Sequence, residues 1–242
     1  MADVEIPIAQ GTLPAYLSEP EGDRPRPGVV VVHDAFGLTP DVRRQADWLA
    51  GAGFLAVAPD LYSWDKRGRC VRATIRALLS GTGRAFDELD ATRAWLAGRP
   101  GCTGRIGVIG FCMGGGFALQ LAPGHGFAAA SINYGQVSKA AERLLAEACP
   151  VIGSFAGKDV ALRSAPARLE SALTTNEVPH EVTVYPQARH GFLNHHRPGE
   201  LPRMQQVVAR VGGGPHEPSA TQARRRIVAF FDRHLSAAGE PA

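Results

Sequence analysis

Arg105-Ile106-Gly107-Val108-Ile109-Gly110-Phe111-Cys112-Met113-Gly114-Gly115-Gly116-Phe117-Ala118-Leu119-Gln120-Leu121-Ala122 decides how the rest of the chain is read. The apolar run 105–109 reads as a buried strand and the run 117–122 as a helix. Between them Gly-x-Cys-x-Gly has the form of a nucleophile elbow, with cysteine at the place where serine is usual. Such a turn is tight enough that Gly110 and Gly114 make steric sense at its flanks. It lifts the Cys112 sulfur above the sheet edge, at a helix N-terminus whose partial positive charge favours thiolate over thiol. The alternative is a Gly-rich strand–helix turn around a buried structural cysteine, so the rest of the chain has to decide.

At 242 residues and 45% hydrophobic content, the chain can bury one large core, and a single domain over residues 1–242 is expected. The net charge is +3 and the basic residues are scattered. Their longest cluster, Arg224-Arg225-Arg226, runs into the apolar Ile227-Val228-Ala229-Phe230-Phe231, as on the solvated face of a C-terminal helix. No nucleic-acid partner is expected. No secretory signal is apparent at Met1-Ala2-Asp3-Val4-Glu5, and no apolar run approaches the ~18 residues of a membrane span. The cysteines at 70, 102, 112 and 149 form no C-x-x-C pair, which points to free thiols in a reducing cytoplasm.

Residues 4–8 and 13–17 look like a short antiparallel hairpin at the N-terminus. Continuous apolar strands follow at 29–33, 54–58, 105–109, 128–134, 151–155 and 181–185. Helices are expected over 42–52, 69–79, 84–97, 138–147, 160–175 and from about Ser219 to Leu235. Gly212-Gly213-Gly214-Pro215 reads as a flexible loop. Strands of this kind alternating with helices imply a parallel sheet covered on both faces, with right-handed crossovers. The elbow makes this an α/β-hydrolase fold: a mostly parallel, doubly wound sheet with helices on both faces and no large cap domain. Ligands in such sheets sit beyond the carboxyl ends of the strands.

A nucleophilic cysteine needs a base, and the base needs an orienting group. In α/β-hydrolases the chain order is nucleophile, acid, histidine. Downstream of Cys112, Asp159 in Phe155-Ala156-Gly157-Lys158-Asp159 is the first acid at a strand end, and His190 lies in the loop after the last strand. An Asp after a strand is often a helix cap, and a loop His is often merely solvated. In this order, at three strand ends, they read as a Cys112–His190–Asp159 triad. Two backbone N–H groups, of Ala35 after the first long strand and of Met113 after the nucleophile, suit an oxyanion hole. Asp34 beside Ala35 either caps the turn or opposes thiolate formation, keeping Cys112 as a thiol until substrate binds. His195 and His196 lie near His190, but no paired Cys or carboxylate spacing supports zinc, so no metal and no cofactor are expected.

The segments Val32-His33-Asp34-Ala35-Phe36-Gly37, Ala58-Pro59-Asp60-Leu61-Tyr62, Gly110-Phe111-Cys112-Met113-Gly114-Gly115 and His190-Gly191-Phe192, in one order, resemble the dienelactone hydrolase (carboxymethylenebutenolidase) family. The resemblance runs from about residue 4 to 235. It implies Cys112, Asp159 and His190 as triad and Asp34 in place of a Glu that switches the thiol on. It also implies Tyr134 in a turn lining the pocket and hydrolysis of a small-molecule lactone or activated ester through an acyl-cysteine. Phe36 is a further substrate-side position. In this family two arginines bind a substrate carboxylate. The position four residues after the histidine is here Asn194, and Arg72 and Arg76 (with Arg69) are candidates for the other. Arg189 directly precedes His190. The alternatives are a broad carboxylesterase or thioesterase acting on substrates without a free carboxylate, or a non-catalytic redox-sensing thiol. A monomer or homodimer is expected.

Overall fold

The four valines at 29–32 have no solvent exposure and alternate between two cores, Val30 and Val32 on one face of the sheet and Val29 and Val31 on the other. A strand's side chains alternate in this way, so an unbroken apolar run means that both faces are covered. The computed structural model describes residues 1–236, and residues 237–242 at the end of the expected domain lie outside the described residues.

The sheet has eight strands: β1 (Ala2–Ile8), β2 (Gly11–Ser18), β3 (Arg26–Val32), β4 (Leu55–Pro59), β5 (Cys102–Phe111), β6 (Ala129–Asn133), β7 (Val151–Ala156) and β8 (His180–Tyr185). Their order is β1-β2-β4-β3-β5-β6-β7-β8. β1 and β2 form an antiparallel hairpin that joins the edge of β4, and every pairing from β4 to β8 is parallel. This is the expected α/β-hydrolase fold. On one face α1 (Pro40–Gly51) and α8 (Glu217–Leu235) bury Val42, Leu49, Ile227 and Phe230. The other face is covered by α2 (Arg67–Ser80), α3 (Arg84–Ala97), α4 (Met113–Leu121), α5 (Ala141–Leu144) and α6 (Ala165–Thr175). Their contributions include Phe86, Leu89, Phe117 and Leu169.

Three segments differ from the sequence reading. The helix expected over 138–147 shrinks to α5, because Pro123 and Ala148 form an isolated bridge and Cys149 N–H donates to Ala122 O at 2.9 Å. The helix expected over 160–175 is split into a 3-10 turn, Val160–Leu162, and α6, with the Asp159 carboxylate accepting from Leu162 N–H at 3.3 Å. A helix not expected at all, α7 (Arg203–Gly212), occupies the segment before the glycines. No helix of the described residues is long and apolar enough to cross a membrane.

Candidate active site

Cys112 stands at the turn between β5 and α4 with φ 54° and ψ −113°, a conformation that costs an L-residue on the order of 1–3 kcal/mol and persists only where the surroundings over-determine it. Here backbone packing does so. A Cβ on Gly110 would lie 1.9 Å from Gly114 O, and one on Gly114 would lie 2.2 Å from Val32 O. The N–H of Cys112 donates to Asn133 O at 3.0 Å, tying the elbow to β6. The sulfur is held at the carboxyl end of β5, half-buried at the floor of a cleft of about 470 Å³.

The loop after β8 brings His190 to the same cleft. Its Nδ1 lies 2.6 Å from Asp159 Oδ2, and the Asp159 side chain is 6% exposed. Asp159 follows β7 and its other oxygen accepts from Leu162 N–H, so the carboxylate is fixed on both sides. Burial disfavours the charged ring of His190. The nearby Cys112 sulfur and the Asp159 carboxylate outweigh it and raise the pKa to about 9. The edge of Tyr134 packs against the His190 ring at 5.1 Å between centroids.

Across the cleft the β3–α1 loop is fixed from beneath by His33. This histidine is fully buried, and burial lowers its pKa. As a neutral ring it accepts from Leu61 N–H at Nε2 (3.3 Å), and its Nδ1–H donates to Asp34 O (2.7 Å). Asp34 Oδ1 accepts from Phe36 N–H at 2.7 Å, the turn-cap geometry foreseen as one of its two readings. Its Oδ2 lies 3.3 Å from His196 Nε2. The N–H groups of Ala35 and Met113 have no acceptor in the turns and loops among the described residues. Tyr62 OH lies 3.5 Å from both Ala35 O and Met113 Sδ, spanning the two positions.

The remaining wall is built by the segment after His190. Asn194 Nδ2 donates to Asp41 Oδ2 at 2.8 Å, and His195 N–H donates to Asp41 Oδ1 at 2.9 Å. Gln45 donates to Leu193 O, and Arg44 holds Glu200 through two contacts of 2.7 and 2.9 Å. That ion pair pulls the Glu200 carboxyl down to about 2. The segment is thus fastened to α1, and α7 follows with Gln206 and Ala209 on the cleft. Gly213 closes the wall by bridging to His190, where a Cβ would lie 1.9 Å from His190 O.

Of the residues singled out from sequence, Cys112, His190, Asp34, Ala35, Phe36 and Asn194 line the cleft. Met113 N–H opens α4 directly below it. Tyr134 does not line it. Its side chain is buried behind His190 and its hydroxyl donates to Asn194 Oδ1 at 2.5 Å. Arg72 and Arg76 are exposed on α2 and stand outside the cleft, because that helix turns Cys70, Thr74 and Ala77 inward. Arg189 is also exposed and outside it. The arginine that does reach the wall is Arg197. His196, Asp41 and Tyr62 were not assigned a role from sequence. Only Tyr62 stood in a quoted motif, whereas Asp41 and His196 meet their partners through tertiary contacts that no spacing announces.

The chain matches the model of the dienelactone hydrolase family over residues 13–235. A protein of Azospirillum brasilense provisionally named a carboxymethylenebutenolidase is 29% identical over 253 residues, covering 97% of this chain and 100% of that one. A similarly named protein of Yersinia pestis is 27% identical over 251 residues, 96% of this chain and 88% of that one. Among solved structures, a provisional dienelactone hydrolase of Klebsiella pneumoniae superposes with a TM-score of 0.77 at 26% identity, over 96% of this chain and 98% of that one. A dienelactone hydrolase-like promiscuous phosphotriesterase from metagenomic libraries shares the fold at TM-score 0.76 and 19% identity, over 97% and 98% of the two chains. With the family's motifs gathered at one cleft and its model spanning nearly the whole chain, this protein belongs to the dienelactone hydrolase family and is a hydrolase of ester bonds.

Proposed function

We propose that the protein is a single-domain enzyme that hydrolyses a small-molecule lactone or activated ester through an acyl-cysteine, with Cys112 as nucleophile, His190 as base and Asp159 as its orienting group. The observation that carries this reading is the aligned Asp159–His190 contact of 2.6 Å beside the elbow cysteine in one cleft. The Cys112 thiolate attacks the acyl carbon while His190 holds the thiol proton. Charge develops on the carbonyl oxygen, and the N–H groups of Ala35 and Met113 face it as an oxyanion hole. The C–O bond then breaks, and the leaving oxygen takes the proton from His190. His190 next removes a proton from water, which attacks the thioester. The C–S bond breaks, the carboxylic acid leaves and the thiolate returns.

Asp34 is the switch in this scheme. Its carboxylate opposes a second negative charge on Cys112 in a partly desolvated cleft, which works against the thiolate until substrate enters. It takes the thiol proton as substrate enters and relays it to His190, and this is the proton that His190 then gives to the leaving oxygen. Its Oδ1 accepts from Phe36 N–H, which fits a turn cap as well, and Oδ2, 3.3 Å from His196 Nε2, is the oxygen left for the second task. The four free cysteines support a reducing, cytoplasmic compartment.

A substrate without a free carboxylate is favoured by a specific observation. Asn194 stands at the family's arginine position and is committed to Tyr134 and Asp41. The test is an intact-mass measurement after exposure to a panel of lactones, aryl esters and thioesters. An acyl adduct is expected on Cys112, and Cys112→Ala should lose turnover by on the order of 10⁴-fold or more while keeping its fold. Near-wild-type hydrolysis by Cys112→Ala would overturn the mechanism.

A further inference from the structure

Two Asp–His pairs open onto one cysteine. Asp159–His190 is the expected one. The other, Asp34–His196, joins residues on opposite walls of the cleft at 3.3 Å, with side chains only 5% and 10% exposed. Neither nitrogen of His196 is aligned in a hydrogen bond with any described residue. The ring stands edge-on to Phe36 at 5.3 Å between centroids and lines the cleft.

We propose that His196 is a positioning residue whose positive charge compensates Asp34 and thereby sets how strongly Asp34 opposes the Cys112 thiolate. This rests on the reading of Cys112 and Asp34 given above and adds a second titrating group to it. The groups facing His196 single out Asp34 as its partner. Asp41, from α1, is satisfied by Asn194 and His195 N–H, and Glu200 is held by Arg44. His195 lies beside Glu217, and Arg197 on the same segment adds no negative charge. Of Asp34, Asp41 and Glu200, only Asp34 forms no ion pair with a cation other than His196 among the described residues. Burial disfavours the charged form of His196, but the Asp34 carboxylate, helped by Asp41 and Glu200, outweighs it and raises the pKa. The protonated ring neutralises Asp34. Once the ring loses its proton, the Asp34 charge faces Cys112 uncompensated.

The experiment follows Cys112 alkylation by iodoacetamide, read by peptide mass, across pH in wild type, His196→Gln, Asp34→Asn and the double variant. Glutamine keeps a polar group beside Asp34 and removes only the charge. At about pH 6, below the ordinary histidine pKa, His196→Gln should alkylate about fivefold more slowly than wild type. The gap should close above the midpoint of His196. Asp34→Asn removes the carboxylate that does most to favour the charged ring and leaves it no charge to compensate, so adding His196→Gln should change the rate by less than about twofold. Equal rates for wild type and His196→Gln at all pH values overturn the proposal, as does an equal loss in both backgrounds. Should His196→Gln fail to fold, the NMR titration of the His196 ring decides. Its midpoint should fall in Asp34→Asn, and an unchanged midpoint overturns the pairing. Asp34→Asn assayed alone separates the two readings. If it alters neither alkylation nor p-nitrophenyl acetate turnover, the switch assigned to Asp34 fails. If it alters both and His196→Gln alters neither, only the role of His196 fails.

Discussion

The two walls of the cleft are held in place by different means. On the elbow side, backbone packs on backbone: Gly110 against Gly114, Gly114 against the end of β3, and Gly115 against Gly135 beyond β6. There is no side chain to adjust, so the position of Cys112 follows from the sheet itself. On the other side, residues 193–200 hang from α1 by side-chain contacts, through Asp41, Arg44 and Gln45. Those contacts can be exchanged one at a time. The nucleophile is thus on the part of the molecule that cannot drift, while what surrounds the substrate is on the part that can be rebuilt without disturbing the fold.

The sharpest way to break this contrast is Gly114→Ala. The new methyl would meet Val32 O and His33 O, at 2.2 and 2.7 Å, and neither is a flexible side chain. A loss of about 3 kcal/mol or more, or no folded protein, is expected from denaturant titration. Gln206→Ala on α7 should cost only about 1 kcal/mol, the loss of its 2.7 Å bond to Leu201 O, and should act mainly on KM. If Gly114→Ala kept wild-type stability, the elbow would not be backbone-locked.

The same contrast governs what could be read from sequence. The elbow was legible because its demands are local: an apolar strand, two flanking glycines and a helix within one short stretch. His190 and Asp159 were legible through chain order, since strand carboxyl ends share one rim. The other wall was not. Tyr134 meets Asn194 across 60 residues, and Asn194 meets Asp41 across 153, with no periodicity to announce either. The family resemblance puts the Tyr134 turn at the pocket, but the side chain is buried behind His190 and bonded to Asn194. Arg72 and Arg76 failed for a helical reason: the buried stripe Cys70, Thr74, Ala77 leaves them on the outer side. α7 was hidden by the glycines that end it, which read as loop.

The next effect in size concerns pH. His190 joins the two walls, bonded to Asp159 on one side and bridged to Gly213 on the other. Its folded-state pKa of about 9 lies above its ordinary value of 6.5. The stabilisation it gives is therefore complete below about 6.5, the unfolded value, and is lost as the pH rises through about 9. Wild-type Tm should fall over that window, and His190→Gln should flatten the decline. A wild-type and a variant curve that run parallel would mean that the ring titrates alike in folded and unfolded chains.

The smallest effect expected tests the side-chain wall directly. A bidentate arginine gives a carboxylate both charge and orientation, and a lysine or asparagine does not reproduce it. Asn194 cannot serve as that anchor, because both ends of its amide are taken by Tyr134 and Asp41 within a buried network. Arg72, Arg76 and Arg189 stand outside the cleft, which leaves Arg197, an exposed side chain at the rim where solvent weakens any ion pair. Matched neutral and carboxylated lactones should accordingly differ by less than about tenfold in kcat/KM, or roughly 1.4 kcal/mol of transition-state binding. Arg197→Ala should remove whatever preference exists, and raising the ionic strength should shrink it in the same direction. A carboxylated substrate preferred a thousandfold, with that preference surviving Arg197→Ala, would show that this wall holds its substrate by a group other than the arginine placed on it.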